Sequence, residues 1–123
     1  MKPKKFSIST LVKSFGHALN GLKILFKEEY NSRIQILAAI AVVIAGYFFE
    51  ISANEWIAII FAIGFVLAME AINSAIESMA DFVSPEKHEM IKKIKDLSAA
   101  GVFISALTAL IIGLIVFGPK VWG

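Results

Sequence analysis

No cysteine occurs in the 123 residues of this chain, which excludes a disulfide framework and a cysteine-ligated metal. The two histidines, His17 and His88, are too few and too far apart in sequence to suggest a zinc site. There is no G-x-x-x-x-G-K-[ST] and no glycine-rich loop of the kinase type. Internal repeats and low-complexity segments are also missing. No short apolar stretch with a small-residue cleavage site follows Met1, so no signal peptide is expected. Charge is absent from Ile34–Phe49, from Trp56–Met69 and from Leu97–Pro119. The basic residues flank these apolar runs, so nucleic acid is a poor candidate partner.

What is present is apolar. Hydrophobic residues make up 58% of the chain, against roughly 45–50% in soluble domains, and the mean hydropathy is +0.76. The expectation is one small membrane domain over residues 1–123, all-α, with three transmembrane helices at 34–51, 56–80 and 98–117. Lys2, Lys4, Lys5, Lys13, Lys23, Lys27 and Arg33 precede the first run, and Lys87, Lys92, Lys93 and Lys95 separate the second from the third. The positive-inside rule then puts the N-terminus and the Asp81–Asp96 loop in the cytoplasm and the C-terminus outside, with Trp56 and Trp122 at the outer interface. Before the spans, Phe6, Leu11, Val12, Phe15, Leu19, Leu22 and Phe26 recur at helical spacing, with Lys13, Asn20, Lys23 and Lys27 at other angles. This predicts an amphipathic surface helix over about residues 6–28, capped by Ser7 or Ser9. The plainer alternative is a helix packed on a neighbour.

The second run carries Glu70, Asn73, Ser74, Glu77 and Asp81 before it ends. At about 100° per residue they fall at roughly 0°, 300°, 40°, 340° and 20°, one face of a helix. A carboxylate at bilayer depth costs at least ~2.5 kcal/mol, so it marks a functional site by default. The alternative is polar glue between helices, but two acids and an amide on one face need a cation or a metal. The third run supplies no base, so Lys95, with Lys92 and Lys93 nearby, is the expected cationic partner. Counted from Trp56, Glu70 lies about 21 Å and Glu77 about 31 Å along the helix. Glu70 is then inside a ~30 Å core and Glu77 at its edge.

Glu28 and Glu29, followed by Asn31 and Arg33, stand where the surface helix meets the first span. Mg²⁺ favours one or two carboxylates plus phosphate oxygens, which Glu29 and Glu77 can supply. Glu28 reads as a solvated charge. In Lys95-Asp96 the lysine suits a phosphate, and the aspartate suits a ribose hydroxyl or orients the lysine. Taken alone, that pair reads rather as a solvated loop ahead of the third span, and His88 as a plain loop residue. From the residues themselves the site is a phosphotransferase centre, an ion or proton pathway, or a structural polar core.

The run Glu70-Ala-Ile-Asn73-Ser74-Ala75-Ile76-Glu77, closing at Asp81, resembles the signature of the prokaryotic diacylglycerol kinase family. Lys13-Ser-Phe, Gly21-Leu22, Glu29 with Asn31 and Arg33, His88-Glu89, and Lys95-Asp96 with Ala99-Ala100 stand at the family's spacings, so the resemblance covers about residues 10–120. It implies a three-span kinase of the bacterial cytoplasmic membrane, a homotrimer with sites shared between subunits, that passes the ATP γ-phosphate to a lipid hydroxyl with Mg²⁺. Glu70 matches the proton acceptor. Glu29 and Glu77 match metal ligands that also meet ATP. Asn73 matches an active-site polar residue, with Ser74, Asn31 and Arg33 completing the polar set. Lys95, Asp96 and the stretch Glu86, Lys87, His88 match nucleotide contacts. His17 stands at a further ATP-contact position where many relatives carry an aromatic residue, and Thr10 replaces a basic residue of one branch.

Of the family's two branches, one phosphorylates diacylglycerol and the other undecaprenol. Lys13-Ser-Phe-Gly-His-Ala, Glu50-Ile-Ser, Glu55-Trp56 and Ile111–Lys120 look more like the undecaprenol branch. The first span offers only Gln35 and Tyr47 as polar side chains, and none stands between Trp56 and Met69. Such a groove lacks donors for the ester carbonyls of a diacylglycerol, which favours a polyprenol.

Overall fold

The computed structural model describes residues 7–123, which form four helices and, among the described residues, no strand. Phe6 and Lys2, Lys4 and Lys5 lie outside the described residues. Helix α1 (Ile8–Glu28) starts at Ser7, whose side chain accepts from the Thr10 amide at 3.1 Å. Its only buried residue is Leu25. Ile8, Leu11, Phe15, Leu19 and Leu22 are exposed within the chain, as an interfacial amphipathic helix requires. Extended backbone at Glu29 separates α1 from α2 (Tyr30–Phe48). Helix α3 covers Ala53–Val83 and α4 covers Glu89–Trp122. Helices α2, α3 and α4 are long and apolar enough to cross a membrane.

These spans differ in extent from the apolar runs. Helix α2 begins at Tyr30 rather than at 34 and ends at Phe48 rather than at 51. Helix α3 starts at Ala53 because Ser52 and Glu55 form a reciprocal capping box. The largest difference is at α4, where residues 89–97 are helix rather than loop. His88 accepts from the Met90 amide through Nδ1 at 3.1 Å, and Glu89 lies in the first turn. Lys92 pairs with Asp96 four residues on, at 2.7 Å. Capping and i,i+4 pairing carry the helix past its apolar limit, a signal that hydropathy does not contain. Helix α4 also continues to Trp122, beyond 117.

The α2–α3 turn closes through two bonds, Glu50 N–H to the Tyr47 carbonyl at 3.3 Å and Ile51 N–H to the Gly46 carbonyl at 3.1 Å. This is a Schellman arrangement, with Glu50 at φ 50° in the position usually given to glycine. It turns Ile51 into a cluster with Ile59 and Val116, surrounded by Val42, Phe49, Trp56, Ile112 and Phe117. Lys120 and Glu55 pair at 3.3 Å beside it. This end of the molecule is the best packed. A Cβ on Gly46 would lie 2.6 Å from Trp56 Cη2. Gly46→Leu is therefore expected to destabilise the protein by about 1–3 kcal/mol through overpacking. A thermal midpoint in detergent equal to that of the parent would contradict this contact.

Candidate active site at the far end of helix α3

The other end of α3 carries the polar face. Glu70 is 3% exposed, in contact with α2, and its Oε2 accepts from Ser32 Oγ at 3.3 Å. Ser32 itself is completely buried. One turn on, Asn73 Nδ2 donates to Glu77 Oε1 at 3.3 Å, and Ser98 Oγ of α4 donates to Asn73 Oδ1 at 2.6 Å. Glu77 follows Glu70 two turns along α3, and Glu29 stands just before α2, three residues ahead of Ser32. Among the described residues no base pairs with any of the three. Ser74 and Glu29 line a groove of about 320 Å³ between α1 and α3, walled by Ala18, Gly21, Leu22 and Leu25.

The nucleotide candidates gather separately. Glu86, Lys87, His88, Lys95 and Asp96 all line one open pocket of about 530 Å³ at the α3–α4 connection, together with Asp81 and Lys92. Two expectations change here. Lys95 does not pair with Glu70 or Glu77 but with Asp81, at 2.5 Å. The acids instead take hydroxyl and amide partners, which satisfy a carboxylate without placing a second charge in an apolar region. Asp96 holds Lys92, not Lys95, because neighbours in a helix point apart while residues four apart meet. His17, Asn31 and Arg33 are exposed and line neither the groove nor the pocket. Arg33 stands 5.7 Å from the centroid of the Tyr30 ring.

Among the described residues no group of three His, Cys, Asp or Glu could hold a metal by itself. Glu29 and Glu77 each offer carboxylate oxygens, the donors that Mg²⁺ takes in ones or twos beside phosphate oxygens and water. The donor set is all oxygen, which is what a hard cation selects. Ser32 and Ser98 were not singled out by sequence reasoning, and Asp81 only as part of the polar face. A single serine in a helix has no distinctive spacing, and the partners of Ser32 and Ser98 lie 38 and 25 residues away.

Three helices long and apolar enough to cross a membrane, a buried carboxylate and a lysine-lined pocket fit a membrane-embedded enzyme. Residues 16–117 match the family described as prokaryotic diacylglycerol kinase, and the chain belongs to that family. It is a lipid kinase. It is 35% identical to the undecaprenol kinase of Bacillus subtilis over 119 residues, 97% of each chain. It is 32% identical to the diacylglycerol kinase of Haemophilus influenzae over 83% of this chain and 86% of that one. The identity to the diacylglycerol kinase of Escherichia coli is 28%, over 82% of this chain and 83% of that one.

Proposed function

We propose that this protein transfers the γ-phosphate of ATP to the hydroxyl of undecaprenol. The observation that carries the reading is Glu70, a carboxylate buried at the junction of α2 and α3 and held by a hydroxyl rather than by a cation. A carboxylate without a cationic partner keeps its affinity for a proton. Glu70 is thus suited to accept the proton of an alcohol as the alcohol attacks phosphorus. Phosphoryl transfer otherwise needs positioning and charge neutralisation. Glu29 and Glu77 are the residues to hold Mg²⁺, which neutralises phosphate charge when bound. Lys95 adds a countercharge at the pocket. Asp96, Glu86, Lys87 and His88 frame the nucleotide. Asn73 and Ser74 border the transfer site, and Asn31, Arg33 and His17 remain candidates for contacts completed by a second subunit of a homotrimer. The basic flanks support a cytoplasmic N-terminus and α3–α4 connection in the bacterial inner membrane, with the C-terminus outside.

The choice of alcohol rests on the walls near Glu70. A narrow slot of about 90 Å³ between α2, α3 and α4 is lined by Ala38, Ala39, Val42, Ala62, Val66 and Gly113, with Gln35 its one polar lining residue. The Ser32 hydroxyl is already committed to Glu70. A thin polyprenol needs no donor there, while a diacylglycerol brings two ester carbonyls that need partners. The similarity to diacylglycerol kinases keeps that lipid as the second reading.

Purified protein in mixed micelles, given labelled ATP and offered undecaprenol, diacylglycerol and ceramide side by side, tests the assignment. The expected kcat/KM is about tenfold higher for undecaprenol than for diacylglycerol, or about 1.4 kcal/mol. Equal or reversed ratios would overturn the polyprenol. Cation flux without ATP turnover would replace the kinase by a conducting protein.

A further inference from the structure

We propose that Ser98 is a positioning residue for the metal-binding carboxylate of Glu77, acting through the side-chain amide of Asn73. The inference rests on the reading of Glu77 as a metal ligand. Ser98 Oγ meets Asn73 Oδ1 at 2.6 Å, and Asn73 Nδ2 meets Glu77 Oε1 at 3.3 Å. Only one polarity satisfies this chain. An ionised carboxylate accepts and never donates, so the amide must turn its NH₂ toward Glu77. Its carbonyl then faces α4 and needs a donor, and the Ser98 hydroxyl is that donor. The reverse orientation would set the amide oxygen against a carboxylate oxygen with no proton between them.

The surroundings make the orientation matter. Asn73 and Ser98 are both half-buried and line a groove whose other walls are Met69, Ile72, Ile76, Ile94 and Leu97. Water competes poorly in such a setting, and each hydrogen bond there polarises the next. One turn further along α4 the Met69 side chain lies over Gly101, where a Cβ would come within 2.6 Å of Met69 Cε. With Oε1 held by the amide, the Glu77 carboxylate is restricted in rotation and keeps Oε2 as its second donor. Groups that orient metal ligands from behind commonly alter affinity about 10–100-fold when removed. Ser98 fits that description, reaching Glu77 through Asn73.

The experiment uses the full chain in detergent with Mn²⁺ as a paramagnetic substitute for Mg²⁺ and a non-hydrolysable ATP analogue. Free Mn²⁺ is read by electron paramagnetic resonance, and the thermal midpoint is taken in parallel. Ser98→Ala is expected to weaken Mn²⁺ binding about tenfold with an unchanged midpoint, and Ser98→Thr, which keeps the hydroxyl, to restore it. The Mg²⁺ concentration for half-maximal turnover should follow the same order. Parental Mn²⁺ affinity in Ser98→Ala, alongside weakened binding in Glu77→Gln, would overturn the relay and leave the metal reading intact. Weakening in Ser98→Ala that Ser98→Thr fails to restore would overturn it too, since the hydroxyl would not be the cause. Unchanged affinity in both Ser98→Ala and Glu77→Gln would remove the metal site, and the relay with it.

Discussion

Glu70→Gln is expected to lower lipid phosphorylation by about 10²–10⁴-fold, the usual contribution of a positioned general base. The substitution is nearly isosteric. The Gln carbonyl still accepts from Ser32 Oγ, so the buried hydroxyl keeps its partner. The change removes a buried charge and keeps the bond from Ser32, so fold and nucleotide binding should survive. What is lost is the ability to take a proton. The measurement is turnover with labelled ATP and undecaprenol, accompanied by circular dichroism and binding of a fluorescent ATP analogue. Turnover within tenfold of the parent would remove Glu70 from the base role.

The second large effect concerns Glu29 and Glu77. Glu29→Gln and Glu77→Gln should each raise the Mg²⁺ concentration needed for half-maximal activity, by about tenfold or more, since each removes one of two carboxylates proposed to hold the ion. The double variant should do little further harm than either single one. Residues that serve one ligand couple, and their effects do not add. Additive free energies would place the two acids in separate roles. An unchanged Mg²⁺ dependence in both single variants would refute a shared site.

Much of this architecture could be read from the chain. The three spans follow from charge-free runs, because no other feature produces them at this length. The end of α1 at Glu28 follows from its periodicity, and the polar face of α3 from the 3.6-residue repeat applied to Glu70, Asn73 and Glu77. What could not be read is contact between helices. The pairing of Lys95 with Asp81 and of Ser98 with Asn73 depends on how far α4 slides along α3. That register depends on contacts between residues far apart in the chain, such as Gly101 against Met69, which leave no trace in spacing along one segment of sequence. Residues 89–97 were missed for another reason. They look like a loop to a hydropathy scale, yet local hydrogen bonds and ion pairs make them helix. The same local rule hid the Lys92–Asp96 pair, since adjacency in sequence drew attention to Lys95-Asp96 instead.

The packing is uneven along the α3–α4 hairpin, and this gives the pair the mechanics of tongs. One end is pinned by Ile51, Ile59, Val116 and the half-buried Glu55–Lys120 pair. The opposite tips are joined by Lys95 and Asp81, whose side chains are 38% and 64% exposed. An ion pair so wet contributes under about 1 kcal/mol. The Ser98–Asn73 bond joins the helices again part way along, so the free arm from Asn73 to Asp81 is about 12 Å long and a tilt of about 5° there moves the tip about 1 Å. Thermal bending therefore has little effect where the helices are joined and its full amplitude at the pocket holding Lys95. A hairpin built this way can loosen at its tips without disturbing the packed joint that keeps the two arms aligned.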